Sequence, residues 1–299
     1  MTRWTADRIS AQAGRTVIVT GGNSGIGRAA AAVLAGRGAK VVLAVRDLAR
    51  GEQAAANMTG EVEVRHLDLA DLGSVRKFAE QWRQPLDVLI NNAGIMAVPE
   101  DRTANGFELQ FGTNHLGHFA LTNLLLPQIT DRVVTISSGA HRMGRLDLDD
   151  LNWERRTYRP WLAYGQTKLA NLLFTLELER RLEADGSPVR AYAAHPGYAA
   201  TNLQGRTGNK MADRLVLAAN KIIAQSDERG ALPTLFAATQ DLPGAAYVGP
   251  DGRTERRGHP TLVGRSAAAS DVELAKKLWT ASEELSGVSY PAGLKPSAA

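Results

Sequence analysis

The chain has 299 residues, 44% of them hydrophobic and 22% charged, with a net charge of +4, which allows a large core and a single α/β domain over 1–299. Its Lys and Arg are scattered, with no run longer than pairs such as Arg155-Arg156 and Lys276-Lys277, so a nucleic-acid groove is excluded. Cys is absent, which excludes disulfides, thiolate nucleophiles and Cys-ligated metals; no stretch has the ~18 apolar residues of a membrane span and the start lacks a signal peptide's apolar core, so no membrane span and a cytoplasmic location are expected.

A surface lead-in carrying Trp4 and Ile9 precedes the β-branched run 16–20, which predicts a short buried strand. The strand runs into Gly21-Gly22-Asn23-Ser24-Gly25-Ile26-Gly27 and an Ala-rich helix to about Gly36. Glycines let the backbone turn tightly and approach a pyrophosphate, whose charge then sits at the helix N-terminus. The spacing is G-x-x-x-G-x-G, not the G-x-G-x-x-G of other dinucleotide folds. A second strand, 40–45, ends in Arg46-Asp47. An Arg facing the adenine ribose suits a 2′-phosphate and hence NADP(H); a strand end one residue later puts Asp47 there, where a carboxylate suits NAD(H). Asp47 also suits the cap of the next helix, 48–58.

A third strand, 62–66, leads through Leu67-Asp68-Leu69 to a helix over 71–82, and Asp68 is placed to accept from an adenine amino group. The fourth strand, 87–90, ends in Asn91-Asn92-Ala93-Gly94, small and amide residues suited to close approach by a ligand. A long helix is expected over 107–126, carrying Asn114-His115-Leu116-Gly117-His118. Asn and Gly in mid-helix cost stability and call for a reason beyond propensity. His115 and His118 have no third ligand in sight and read as packed or solvated side chains, with no metal expected.

The fifth strand, 132–136, ends in Ser137-Ser138, either of which could present a hydroxyl to a carbonyl oxygen gaining negative charge. Residues 139–160 form a polar and aromatic excursion too irregular to be core. The next helix, to about 184, places Tyr164 and Lys168 on one face. A fixed cation there favours the phenolate and lowers a phenol pKa from about 10, making the pair a candidate general acid/base. Of the six tyrosines only Tyr164 has Lys at the fourth following position. A sixth strand, 189–194, runs into His195-Pro196-Gly197 and Thr201; residues 202–225 read as a cover, followed by a helix over 228–239, a short strand at 246–248 and a terminal helix over 271–285.

Strands alternating with helices predict a Rossmann-type doubly wound parallel sheet of about seven strands in three αβα layers. In motif order, Thr20 to Gly27, Asp68, Asn91-Asn92-Ala93-Gly94, Asn114, Ser138, Tyr164 with Lys168, and Pro196-Gly197 resemble the short-chain dehydrogenase/reductase family over about 16–201. The chain is similar in particular to the retinol dehydrogenase and WW-domain oxidoreductase branch. The resemblance implies hydride transfer between a nicotinamide and a small carbonyl or alcohol substrate, with NADP(H) preferred and NAD(H) possible.

By the same resemblance Tyr164 is the acid/base, Lys168 lowers its pKa and holds the nicotinamide ribose, Ser138 polarises the substrate oxygen, and Asn114 positions a water. Gly21, Asn23, Ser24, Gly25, Ile26 and Gly27 surround the pyrophosphate, Arg46 takes the 2′-phosphate, and Asp68 with Leu69 takes the adenine. Asn92, Ala93 and Gly94 take the adenosine ribose region, and Pro196, Gly197 and Thr201 the nicotinamide. Ser138 and Tyr164 stand 26 positions apart, about twice the usual family separation. The 139–160 excursion and the 202–225 cover are therefore expected to wall an apolar substrate pocket, with Trp153, Trp161, Leu203 and Leu215 as candidates. Homodimers in the family often pack through the Asn114 and Tyr164 helices. The alternatives are a nucleotide sensor or scaffold that lost the chemistry, or an isomerase or dehydratase using the same acid/base.

Overall fold

The computed structural model of the protein describes residues 3–197 and 226–291. Seven parallel strands, β1 (Thr16–Thr20), β2 (Lys40–Val45), β3 (Val62–His66), β4 (Leu86–Asn91), β5 (Ile129–Ile136), β6 (Arg190–Ala194) and β7 (Tyr247–Pro250), form one sheet. The central strands are covered on both faces, which is why they read as continuous apolar runs. An eighth strand, β8 (Pro260–Leu262), pairs antiparallel with β7 at the edge. Three residues after a Gly- and Arg-rich turn carry no periodicity, so β8 was not foreseeable from pattern. The order β3-β2-β1-β4-β5-β6-β7-β8 reverses direction between β1 and β4, where a doubly wound sheet opens a crevice at its carboxyl edge.

Helices α1 (Gly25–Gly36), α2 (Leu48–Ala55) and α3 (Leu72–Glu80) follow the first three strands. The caps are local carboxylates: Asp47 Oδ1 accepts from Arg50 N at 3.0 Å and Asp71 Oδ1 from Gly73 N at 2.8 Å. The helix expected over 107–126 is broken. It consists of α4 (Leu109–Phe111), a π-helical turn over Gly112–Leu116, and α5 (Gly117–Leu125). Its glycine has a packing reason, since a Cβ on Gly117 would lie 2.4 Å from the Leu69 carbonyl oxygen. Such π turns recur at functional sites, and this one carries Asn114.

The excursion over 139–160 is a second correction, because it buries Asp150, Leu151 and Trp153. Asp150 accepts from the main-chain N–H of Glu154 at 2.6 Å and from Arg156 Nε at 3.1 Å, and the Arg156 guanidinium lies over the Trp153 ring at 3.9 Å. Polar groups that satisfy one another can be buried, and composition does not reveal that pairing.

Helix α6 (Pro160–Ala184) is buried along most of its length. Helices α7 (Asp227–Thr239) and α8 (Val272–Ser286) close the two faces of the sheet. On α8, Trp279 stacks on Phe174 at 5.6 Å, meets the Phe119 ring edge-on at 4.9 Å and lies under the Arg181 guanidinium at 4.5 Å. Its ring N–H donates to Glu283 Oε1 at 2.9 Å. This indole ties α8 to α5 and α6, the helices behind the Asn114 and Tyr164 positions. Trp279→Ala is expected to cost about 3–5 kcal/mol of unfolding free energy, read by urea denaturation, with Trp279→Phe costing clearly less because it keeps most of the ring contacts.

Candidate active site

The crevice at the β1/β4 reversal is built around Thr20, which is fully buried. Its hydroxyl oxygen accepts from Asn92 N and Ala93 N, each at 2.9 Å, and lies 2.9 Å from His118 Nε2. His118 Nδ1 lies 3.0 Å from the Asn114 carbonyl oxygen. A carbonyl can only accept, so Nδ1 carries the proton and Nε2 accepts from Thr20. Burial lowers the pKa of His118 to about 4 and that of His115 to about 3, so both rings are neutral at pH 7. His115 is packed against Ser282 Oγ at 2.9 Å. His118, which the sequence assigned no role beyond packing, instead joins β1 to the π turn; its signal was the four-residue step from Asn114.

The glycine turn lies directly above this hub. Gly21 has φ +64°, a left-handed conformation that favours glycine. A Cβ on Gly27 would fall 2.3 Å from Asn92 Nδ2, which itself donates to the Thr20 carbonyl at 2.7 Å. The cap residue of α1, Ser24, makes no side-chain cap bond, so the first-turn N–H groups of Gly25, Ile26 and Gly27 point into the crevice without that partner. Asn92 Oδ1 is buried without a hydrogen-bond partner. A close-approach glycine turn, an uncapped helix N-terminus and an orphaned amide oxygen together fit a dinucleotide lying across the sheet edge.

The remaining adenosine-side candidates are distributed around this edge. Asn23, Asp68, Ala93 and Gly94 are half-buried. Asp68 Oδ1 accepts from Ala70 N at 2.9 Å, and Leu69 turns its side chain into the core, leaving only its main chain for a ligand. Arg46 is exposed, and its side chain has no hydrogen bond or ion pair among the described residues, whereas Asp47 is engaged as the α2 cap and pairs with Arg50 Nε at 3.4 Å.

On the other side of the crevice, α6 carries Tyr164 and Lys168, with Lys168 only 4% exposed. Lys168 Nζ donates to the Ile136 carbonyl at 3.0 Å and lies 5.6 Å from the Tyr164 ring centroid. The two serines separate cleanly. Ser137 is buried and its Oγ donates to the Lys168 carbonyl at 2.8 Å, while Ser138 is half-buried and its Oγ accepts from Ala140 N at 3.2 Å. The Ser138 O–H is left to donate toward the Tyr164 oxygen, where its bond lowers the phenol pKa. Burial is the larger effect and pushes Tyr164 up to about 12; burial also pushes Lys168 down to about 8. The phenol thus stands above its usual value, against the expectation that Lys168 lowers it: burial raises it, and the Ser138 bond is what opposes that rise.

Asn114 joins the two halves. Its Oδ1 accepts from Ile95 N at 2.8 Å, and its Nδ2 donates to the Ile95 carbonyl at 2.8 Å and to Thr167 Oγ1 at 3.1 Å. A Cβ on Gly94 would lie 3.1 Å from that Oδ1 and 3.7 Å from Lys168 Nζ, so the end of the β4 loop passes close to the ammonium. Pro196 and Gly197 leave the end of β6 on the same edge, half-buried. Of the expected pocket walls, Trp161 is 55% exposed and meets the Tyr164 ring edge-on at 6.3 Å. Trp153 lines a groove of about 310 Å³ with Met143, Arg145, Arg156 and Leu162. Thr201, Leu203, Leu215 and the 202–225 cover lie outside the described residues. Among the described residues no cluster of three His, Cys, Asp or Glu could hold a metal, and no helix is long and apolar enough to cross a membrane.

Residues 15–212 match the short chain dehydrogenase family. Human retinol dehydrogenase 13 is 42% identical over 93% of this chain and 86% of its own length, and mouse retinol dehydrogenase 12 is 40% identical over 93% and 88%. A crystal structure of an uncharacterised protein from Mycobacterium paratuberculosis superposes with a TM-score of 0.85 at 55% identity, covering 97% of this chain and all of that one. A structure assigned as an NAD(P)-dependent gluconate 5-dehydrogenase from Beutenbergia cavernae, with bound NADP, has a TM-score of 0.59 at 28% identity over 77% of this chain and 91% of that one. These relatives support a nicotinamide-dependent enzyme acting on an alcohol or carbonyl, and the chain belongs to the short chain dehydrogenase family, with retinol dehydrogenases among its relatives.

Proposed function

We propose that the protein is an NADP(H)-dependent oxidoreductase that interconverts a lipophilic aldehyde or ketone and its alcohol. The observation that carries this reading is the cluster of buried Tyr164 and Lys168 with half-buried Ser138 beside a cofactor crevice. When bound, the nicotinamide supplies or receives the hydride. With substrate bound, the single Ser138 proton, which otherwise donates toward the Tyr164 oxygen, turns to the substrate oxygen, while Ala140 N keeps one Ser138 lone pair. Tyr164, protonated at neutral pH because burial holds its pKa high, gives its proton to that oxygen during reduction. The Lys168 ammonium stabilises the phenolate that results, held in place through the Ile136 carbonyl. Asn114 fixes the loop after β4 against α6, and its carbonyl is the atom from which a water link to Lys168 would start.

The cofactor preference rests on Arg46, an exposed guanidinium after β2 with no partner among the described residues, with Asp47 occupied as a cap. The lipophilic substrate rests on exposed Trp161 beside Tyr164 and on relatives named as retinol dehydrogenases. The faces of α5 and α6 packed against α8 are not available to a second copy, so a homodimer would have to use another surface.

Tyr164→Phe is expected to lower kcat for carbonyl reduction by about 10²–10⁴-fold with cofactor affinity unchanged, measured by NADPH consumption over an aldehyde and ketone panel; near wild-type turnover would sink the assignment. Reduction requires a protonated phenol and a charged Lys168. Its kcat is therefore expected to be flat around neutrality and to fall as pH rises through about 8, where Lys168 loses its proton, read from the pH profile of NADPH consumption. Arg46→Ala is expected to weaken NADPH by roughly 10–100-fold, the loss of one charge-assisted bond, while leaving NADH binding as it was; equal losses for both cofactors would remove Arg46 from the 2′-phosphate.

A further inference from the structure

The loop between β7 and β8 carries a feature that the acid/base cluster does not use. Thr254 and Glu255 are consecutive non-glycine residues in the left-handed region, at φ +66° and +55°. Such backbone persists only where its surroundings hold it, and it tends to gather at ligand clamps. Two side chains do the holding. His195, the last residue before Pro196-Gly197, is buried, and its Nδ1 accepts from Gly197 N at 3.2 Å. Burial lowers its pKa to about 4, with His141 and Arg142 acting in the same direction, so the ring is neutral at pH 7 and its one proton is on Nε2. That proton is donated to Glu255 Oε2 at 3.1 Å. The other carboxylate oxygen, Oε1, faces Arg142 Nη2 at 3.5 Å. Arg142 stands on the short 3₁₀ helix Gly139–Met143 that Ser138 caps, and it also donates to the Gly264 carbonyl at 2.9 Å.

The same loop presses on Gly197. That residue has φ +71°, and a Cβ there would fall 2.5 Å from the Arg256 carbonyl oxygen and 2.8 Å from Pro250 Cγ. The Pro196-Gly197 turn is thus gripped from its side-chain side by His195 and from its outer side by residues 250–256.

We propose that Glu255 is a positioning residue for hydride transfer: through His195 it fixes the Pro196-Gly197 turn against the nicotinamide end of the cofactor, and through Arg142 it ties that turn to the segment carrying Ser138. This rests on the proposed function and on the Pro196-Gly197 turn taking the nicotinamide, as the family resemblance implies. One carboxylate couples the two groups that must be in register when hydride and proton move, the turn facing the nicotinamide and the serine facing the substrate oxygen. Glu255 touches neither substrate nor cofactor and acts only through its two partners.

The backbone strain makes the role separable from folding. At φ +55° glycine is favoured over glutamate, so Glu255→Gly removes the carboxylate while relieving the loop. His195→Asn keeps an acceptor for Gly197 N and removes the donor to Glu255. Binding is measured for each variant with NADPH, which spans both ends of the crevice, and with adenosine 2′,5′-bisphosphate, which reaches only the adenosine end. Both variants are expected to weaken NADPH by about tenfold, as for one lost charge-assisted bond, with bisphosphate affinity unchanged and the melting temperature of Glu255→Gly no lower than wild type. Glu255→Gln, which keeps an acceptor for His195, should restore most of the NADPH affinity. Parallel losses of both probes, or no loss in either, would overturn the positioning role. Wild type that fails to bind NADPH would instead overturn the cofactor reading, and the positioning role with it. Should Glu255→Gly melt below wild type, the His195→Asn comparison decides alone.

Discussion

The whole site hangs on one hydroxyl. Thr20 Oγ1 has two lone pairs and one proton, and all three are used: Asn92 N and Ala93 N fill the lone pairs and His118 Nε2 takes the proton. These bonds pull the end of β4 against the end of β1 at the point where the sheet reverses. The glycine turn can then pass within contact of Asn92, which is why a side chain at Gly27 has no room. Through His118 the same hydroxyl reaches the Asn114 carbonyl and thus the π turn. A buried hydroxyl with every bond satisfied stabilises its neighbours, and its removal would leave the Ala93 N–H without that acceptor.

From that hub the order is passed on by main-chain contacts. The Asn114 amide bonds both backbone atoms of Ile95, and Thr167 Oγ1 accepts from it while donating to the Tyr164 carbonyl at 2.8 Å. Ser137 grips the Lys168 carbonyl, and Asn171 Nδ2 and Lys168 Nζ both donate to the Ile136 carbonyl at 3.0 Å. The helix bearing the acid/base is therefore locked to β5 and to the β4 loop at several points along one turn. Small misplacements of reacting groups are costly in rate, and side chains bonded to backbone move less than side chains bonded to one another.

Much of this was legible in the residues. Strand-glycine-helix order located the crevice, the four-residue step from Tyr164 to Lys168 placed both side chains beside it, and the Asn and Gly in a helix signalled a local reason, which proved to be a π turn and a close approach to Leu69. What was not legible shares a cause. The choice between Ser137 and Ser138, the role of His118, the burial of Trp153 and the His195–Glu255 contact all depend on pairings between segments far apart in sequence. Periodicity reports which face of an element is apolar, and it carries no record of which polar atom a distant loop will bring. Likewise β8 is too short to leave a pattern.

The pKa values invert the simplest account of the pair. A free phenol and a free lysine titrate within about half a unit of each other, whereas here burial drives the phenol up to about 12 and the ammonium down to about 8. Each group on its own resists being charged, because the surroundings are poor at solvating ions. The same poverty of solvation strengthens the attraction between the two charges once both are present. Forming the phenolate is therefore costly here, and an ammonium with its Nζ 5.6 Å from the ring offsets part of that cost. A site built this way keeps its proton until a substrate oxygen takes it, which suits an acid in the reductive direction, and it releases the phenolate's stabilisation when Lys168 becomes neutral. In the proposed reaction the electrostatics tie proton transfer to the charge of one lysine, and that lysine is oriented by the strand that ends in the two serines.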